Sequence, residues 1–497
     1  MGMPIGYTMR FVKNTHPLVQ LFTKAFKQRN GLSPEKILVL VKELQETVSF
    51  IHAKGILIVD LNEMNFLVEG GWGDVYAIDV NSYQTPSFPA TVLMPSVKDH
   101  HAKKFSEVTD WYSWGIVAFQ MLVGIHPYKG NHPDFDSTPM DSRMEARMKA
   151  NVSVFNSKTK IPKACEPLDS IPSSLKSWFE SVFENGNRTN PPLDYEAVIL
   201  IAAPLPPLLG KDIDIRELAE YDDSIIHYVT SYETSVVITA KSVHVNKNSF
   251  AFGQKNVFIA FTPTTNIPIL AWLEAGSVKL FNITRTTDIP ITSSGNALLV
   301  SGGRLYIQNG TEVVEMRFLE TGNRIVPTVS TVGQVLDLPE ATKVFEGVIL
   351  QNLLGRQVAS IFPGSGVCQQ VSLLELDGYQ IIDAQYENGV LVVVGHKSGN
   401  YDRLVFRFDG HYRYDCRLVA GVAYQGINMT VSDAGVCVLL DEEERLELFR
   451  NVKDGGSVKL LEDPVIGSDM MLYHDRTKIF FARGNKLYQI SVINHNR

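Results

Sequence analysis

At 497 residues the chain exceeds what one hydrophobic core organises, so two or three domains are expected. Hydrophobic residues at 44% and charged residues at 20% are ordinary for a globular protein. The net charge of −8 argues against a general affinity for nucleic acid, whose phosphates need a basic surface. The cysteines, Cys165, Cys368, Cys416 and Cys437, are scattered without a CxxC pair and support neither a zinc site nor a disulfide framework. The N-terminus carries no basic segment leading into an apolar run, and no apolar stretch approaches the roughly 20 residues that span a bilayer. A soluble, cytoplasmic protein with no membrane or nucleic-acid partner is therefore expected.

In chain order, apolar residues first recur at helical spacing in Pro34–His52, with Ile37, Leu38, Leu40, Val41, Leu44, Val48 and Ile51 on one face. The segment 51–79 then reads as a helix end, a turn at Gly55, a short strand, a loop and a hairpin. Residues 70–77 mimic a glycine-rich loop, but directly before Asp79 they read as the turn of that hairpin. A strongly apolar run at 110–123 predicts a buried helix. Leu175, Trp178, Phe179 and Val182 give Ser173–Phe183 one apolar side. Residues 203–210, with Pro204, Pro206 and Pro207, are stiff and cannot continue a helix. Three segments follow: a domain at 1–200, a Pro-rich linker at 201–222 and a β domain at 223–497.

The β domain repeats itself loosely. A strand, a polar turn and a second strand recur at 257–261 with 268–273, 297–300 with 305–308, and 390–394 with 404–408. They recur again at 436–440 with 446–449 and 479–482 with 487–490, with weaker copies at 236–245 and 348–358. Leu404, Leu446 and Leu487 lie 42 and 41 residues apart in second strands. That period suits a four-stranded propeller blade, which buries one face on its neighbour. Residues 223–497 would hold six or seven blades, and an irregular pair of β-sandwiches is the competing arrangement. The Gly-His…Trp-Asp signature of WD40 repeats is absent.

Chemistry concentrates between residues 58 and 79. Asp60 and Asn65 stand five apart in the loop, and Asp79 follows Asn65 by fourteen at a strand end. Phosphoryl transfer uses such a trio: one carboxylate orients the attacking hydroxyl, while an amide and a second carboxylate hold Mg²⁺ on the phosphates. Elsewhere His52 reads as a packing or capping residue, His100 and His101 as solvated, and the acidic run 441–444 as a solvated hairpin tip.

The same residues resemble the protein kinase family, in the form written by bacterial and phage kinase-like proteins. Residues 58–65, Ile-Val-Asp-Leu-Asn-Glu-Met-Asn, resemble the catalytic loop, and Asp79-Val-Asn81 resembles the Asp-Phe-Gly motif. Residues 110–127 resemble the long helix that kinases write as Asp-x-Trp-Ser-x-Gly. Residues 94–96 resemble the Ala-Pro-Glu element, and 6–9 the hinge. The fold this implies is multidomain α plus β: a mainly α-helical kinase-like C-lobe, from the hinge onward, followed by an all-β domain of six or seven propeller blades. It implies Asp60 as the catalytic carboxylate, Asn65 and Asp79 as metal ligands, and backbone at Thr8, Met9 and Arg10 for the adenine of Mg-ATP. Asp110 would accept catalytic-loop N–H groups. Arg188 resembles the late-lobe arginine, with Ser96 standing where its usual glutamate partner would be.

Departures bear on function. The His and Arg of the catalytic triplet are Ile58 and Val59, the loop lysine is Asn62, and the glycine-rich loop with its lysine would have to precede Gly6. The expectation is a catalytically incomplete, kinase-like scaffold, or pseudokinase, whose propeller binds protein partners and whose Mg-ATP binding is weak or absent. Two alternatives stay open. One is an active Ser/Thr-type kinase whose N-lobe comes from a separate chain or an upstream segment; the other is a structural component of a phage particle.

Overall fold

In a computed structural model of the protein the described residues are 9, 11–12, 14–90, 93–196, 212–254, 256–322, 324–338, 341–422, 426–452 and 458–492. They form two compact units that divide near residue 203. Thr8 and Arg10 of the expected hinge lie outside the described residues, as do residues 203–210, whereas Met9 is exposed.

The first unit holds α1 (Lys24–Arg29), α2 (Pro34–His52), α3 (Glu107–Val123), α4 (Met140–Ala150) and α5 (Ser173–Phe183). Beside them lies an antiparallel sheet in the order β1 (Thr15–Pro17), β2 (Phe66–Glu69), β3 (Val75–Ala77). Helix α2 starts on Ser33, whose side chain accepts the Lys36 N–H, with Pro34 at the first helical position. Helix α3 starts at a Ser106/Thr109 capping box and stops at Gly124. Gly124 has φ 87, and a Cβ there would lie 2.8 Å from the Phe22 carbonyl oxygen, so only glycine fits. Trp111, Trp114, Ile116, Val117, Phe119 and Met121 of α3 are all buried. Helix α5 meets them edge-on, with Trp114–Trp178 at 5.6 Å and Phe119–Phe179 at 5.4 Å between ring centroids.

The expected mainly α-helical kinase-like lobe is not what the fold shows. Over both units together, strands take 40% of the described residues and helices 18%. Within the first unit, long irregular segments and 3-10 turns separate the helices. Apolar periodicity marks α2, α3 and α5, but it is silent on the segments between them, where loops are held by buried polar groups. Arg147 is one such group: it is fully buried and donates to the carbonyls of Lys129, Gly130 and Val152.

Among the described residues the second unit contains seven four-stranded antiparallel sheets. Blade one is Ile225–Ser231, Thr234–Thr239, Ser242–Val245 and Asn248–Ala251; blade two is Phe258–Phe261, Pro268–Glu274, Ser277–Asn282 and Thr287–Asp288. Blade three is Ala297–Ser301, Arg304–Asn309, Glu312–Thr321 and Arg324–Gln334; blade four is Thr342–Phe345, Val348–Leu353, Arg356–Ile361 and Gln369–Ser372. Blade five is Gln380–Glu387, Val390–Lys397, Asn400–Phe408 and Tyr414–Val419; blade six is Met429–Val431, Cys437–Leu440, Leu446–Phe449 and Lys459–Leu461. Blade seven is Met471–Asp475, Lys478–Arg483 and Lys486–Val492, completed by Ile213–Glu220 from the start of the unit.

The buried cores show that these sheets form a ring. Val236 of blade one packs with Leu270 of blade two, Leu280 of two with Ile307 of three, and Tyr306 of three with Phe362 of four. Ala359 of four shares a core with Phe406 of five, Val405 of five with Leu439 of six, and Val438 of six with Phe481 of seven. Phe480 of seven then packs with Tyr228 of one, and the circle closes. This is a seven-bladed β-propeller, and its strands begin at Ile213, inside the span read as linker, not at residue 223. The clasp pairs Ile213 with Val492 and Glu220 with Lys486.

Blades five to seven are also tied by charge. Glu387 Oε1 lies 3.3 Å from His474 Nδ1, its Oε2 accepts the Val431 N–H, and Asp433 lies 3.7 Å from His474 Nε2. Burial works to lower the His474 pKa, but Glu387, Asp433 and Asp475 outweigh it and the net shift is upward. The stability this tie contributes is full below about pH 6.5 and is lost as pH rises through the higher folded-state value. The urea midpoint of the propeller should therefore fall from about pH 6 to about pH 9. His474→Gln should flatten that fall, and an unflattened profile would count against the tie.

Candidate functional site

Helix α2 ends at His52, and the chain turns through Gly55 into the loop 58–65. Val59 has φ 65, a left-handed conformation that a β-branched residue adopts only when its surroundings impose it, at a cost of order 1–3 kcal/mol. What imposes it is Asp110, in the first turn of α3 and 0% exposed. Asp110 Oδ2 accepts the Ile58 N–H at 2.7 Å and Oδ1 accepts the Val59 N–H at 2.9 Å. His52 Nε2 lies 2.8 Å from Oδ2, and Trp111 meets the His52 ring edge-on at 5.3 Å. One buried carboxylate thus pins two peptide groups and an imidazole. His52 is part of the clamp, not only a packing residue.

The loop then brings Asp60 and Asn65 together. Asn65 Nδ2 donates to the Asp60 carbonyl at 2.9 Å and faces Asp60 Oδ2 at 3.3 Å. Asp60 Oδ1 accepts the Met94 N–H at 2.7 Å. Asn62, at the place of the loop lysine, accepts the Met64 N–H at 2.8 Å. The Ile78 N–H donates to the Asn65 carbonyl, which seats the end of β3 beside the loop. Asp79 follows with φ 54, exposed, and accepts Asn81 Nδ2 at 2.7 Å.

A nucleotide-bound Mg²⁺ would find a partial fit here. The Asn65 amide oxygen and the second Asp79 oxygen supply one negative charge between them, and Mg²⁺ demands near-octahedral oxygen coordination. Phosphates and water would have to supply the rest. Among the described residues no group of three or more His, Cys, Asp or Glu side chains converges as a metal site.

Arg188 is not without a carboxylate. Its Nε meets Asp99 Oδ2 at 2.9 Å and its Nη2 meets Asp99 Oδ1 at 3.0 Å, while the guanidinium lies 4.4 Å over the Tyr112 ring. The partner stands three residues beyond Ser96, where the sequence comparison placed it. His100, read as solvated, is half-buried with Glu145 3.9 Å away. Asp441, in the acidic run, is buried and accepts the backbone N–H groups of Glu443 and Arg445.

Together these features define a protein that carries a seven-bladed propeller and, in a separate unit, a loop clamped by a buried aspartate. No protein-family profile matches the chain. Over 124 residues it is 29% identical to the serine/threonine-protein kinase atg1 of Dictyostelium discoideum, covering 23% of this chain and 18% of that one. Over 150 residues it is 24% identical to myosin light chain kinase 3 of Danio rerio, covering 27% and 20%. The chain spans between 18% and 25% of the length of the curated kinases that it matches. Among solved structures it is similar to Hsv2 of Kluyveromyces lactis at 12% identity and TM-score 0.34, covering 55% of this chain and 98% of that one. The WD40 β-propeller domain of Doa1 is similar at 11% identity and TM-score 0.32, covering 56% and 95%. Likeness at such scores carries no weight of its own; the ring of sheets defines the propeller. No helix among the described residues is long and apolar enough to cross a membrane.

Proposed function

We propose that the chain is a binding protein: the propeller docks protein partners, and the first unit is a scaffold whose kinase-like loop keeps its shape without moving phosphate. The observation that carries this reading is the environment of Asp60. A carboxylate that takes a proton from a substrate hydroxyl must aim a free lone pair at it. Here Oδ1 holds the Met94 N–H and Oδ2 faces the Asn65 amide, so each oxygen is already engaged within the fold and about half of the lone-pair sites are taken. The position of the loop lysine holds Asn62, whose amide is engaged within the loop. Charge developing on a transferred phosphoryl group would then lack that cation beside Asp60. The propeller supports docking because a rigid ring of sheets holds its connecting loops in fixed positions.

A second reading is favoured by the strained Val59 and by the sequence similarity to kinases. In it the loop is kept poised, and another polypeptide presents Mg-ATP to it. Incubating the purified chain with Mg-[γ-³²P]ATP and generic protein acceptors, alone and together with a separately expressed protein-kinase N-lobe, separates the two. The scaffold reading expects no incorporation above that of Asp60→Asn, and an unchanged melting temperature in Asp79→Asn, whose side chain is exposed. Label transfer that disappears in Asp60→Asn would replace it with the second reading.

A further inference from the structure

Blade three departs from its neighbours. Its third and fourth strands run 10 and 11 residues, against 5 and 6 for its first two, so their hairpin extends past the rest of the blade. The register sets Arg317 opposite Thr328 and Leu319 opposite Val326. Strand alternation puts Glu315, Arg317 and Leu319 on one face, while Met316 and Phe318 on the other are buried in the core shared with blade two. On the first face Leu319 is 52% and Val326 42% exposed. Blade four brings up the loop 363–367 beside it. A Cβ on Gly364 would lie 2.8 Å from the Arg304 guanidinium, one on Gly366 would lie 3.4 Å from that of Arg317, and Val367 is 60% exposed.

The charges on this face do not cancel. Glu315, 1% exposed, accepts Arg304 Nη1 at 2.8 Å on one oxygen and Arg317 Nη2 at 2.8 Å on the other. One arginine would neutralise it; two leave an excess positive charge, and each arginine side chain remains 49% exposed. This occurs on a chain whose net charge is −8. Outward guanidinium N–H groups fit a carboxylate, and the adjoining exposed Leu319 and Val326 fit an apolar side chain.

We propose that Arg304, Arg317, Leu319, Val326 and Val367 form a docking face for an extended protein segment that carries an acidic residue next to an apolar one. The carboxylate sits on the arginine pair and the apolar side chain on Leu319 and Val326. This rests on the docking reading above and gives it a surface.

The test passes the full chain over an array of capped peptides with Glu beside Leu at successive positions in a Gly/Ser background. A matched array carries Lys in place of Glu. The Glu peptides should retain the chain, less so as salt rises from about 0.05 to about 0.5 M, and the Lys peptides should not. Leu319→Ser combined with Val326→Ser changes only exposed side chains and should lower retention about tenfold or more. Arg304→Gln combined with Arg317→Gln should do the same. If that pair misfolds because Glu315 is left buried and unpaired, the serine pair decides alone. Equal retention of both arrays, or retention of neither, overturns the proposal. Retention of the Glu array that survives the serine pair also overturns this surface, yet leaves the propeller a binding module.

Discussion

Asp110→Ala should unfold the first unit at a markedly lower urea concentration, with a loss of about 3 kcal/mol or more. The substitution removes an acceptor that is 0% exposed and leaves the Ile58 N–H, the Val59 N–H and His52 Nε2 without it. Each buried donor left unsatisfied costs roughly 1–3 kcal/mol. Relaxation of the strained φ of Val59, which nothing then holds in its left-handed conformation, offsets only part of this loss. Asp110→Asn keeps one oxygen and should fall between parent and Ala variant. Intrinsic fluorescence suits the measurement, since Trp72, Trp111, Trp114 and Trp178 lie in the first unit and Trp272 alone in the propeller. An unchanged urea midpoint in the Ala variant would show that the loop does not depend on this clamp.

Deleting Ile213–Glu220 should cost the propeller more than any other change of its length. The strand completes blade seven, and Ile213 is 1% exposed in the core shared by blades six and seven. Its removal uncovers the whole edge of Lys486–Val492. An uncovered edge both loses its ladder bonds and invites pairing with other chains. The expected loss exceeds about 4 kcal/mol, in the range of exceptional lesions, with aggregation on heating. A synthetic peptide of sequence 212–221 added to the deletion variant should restore part of the lost melting temperature. A deletion variant that melts like the parent would mean that the ring does not depend on this clasp.

Some of this was legible in the sequence. Apolar spacing marks α2, α3 and α5, because buried faces recur every three to four residues. It says nothing of the loops between them, nor of α1 and α4. Leu404, Leu446 and Leu487 reveal the propeller period because each lies in the third strand of its blade. The pairs at 257–273 and 297–308 are first and second strands, a different phase of the same repeat, and this blurs the blade count. The closing strand Ile213–Glu220 is hidden, since its partner lies more than 260 residues on and most of its side chains are polar or exposed.

The candidate site shows the same division. Asp60, Asn65 and Asp79 are visible as a neighbourhood through their spacing. That Asp60 Oδ1 holds the Met94 N–H depends on a fold-back across 34 residues that no local pattern encodes. Arg188 finds Asp99 because the carboxylate has moved three residues along its loop, and motif comparison looks only at the usual position. Arg304, Glu315 and Arg317 come together through cross-strand register, so the sequence alone gives no reason to group them.

Isothermal titration of the intact chain with Mg-ATP tests the scaffold account most directly. Asn65 and Asp79 offer a partial site, and Mg²⁺ is held weakly unless phosphates are already fixed in place. The account expects a dissociation constant in the millimolar range or weaker, about −4 kcal/mol. Micromolar binding by the chain alone, abolished by Asp79→Asn, would contradict it.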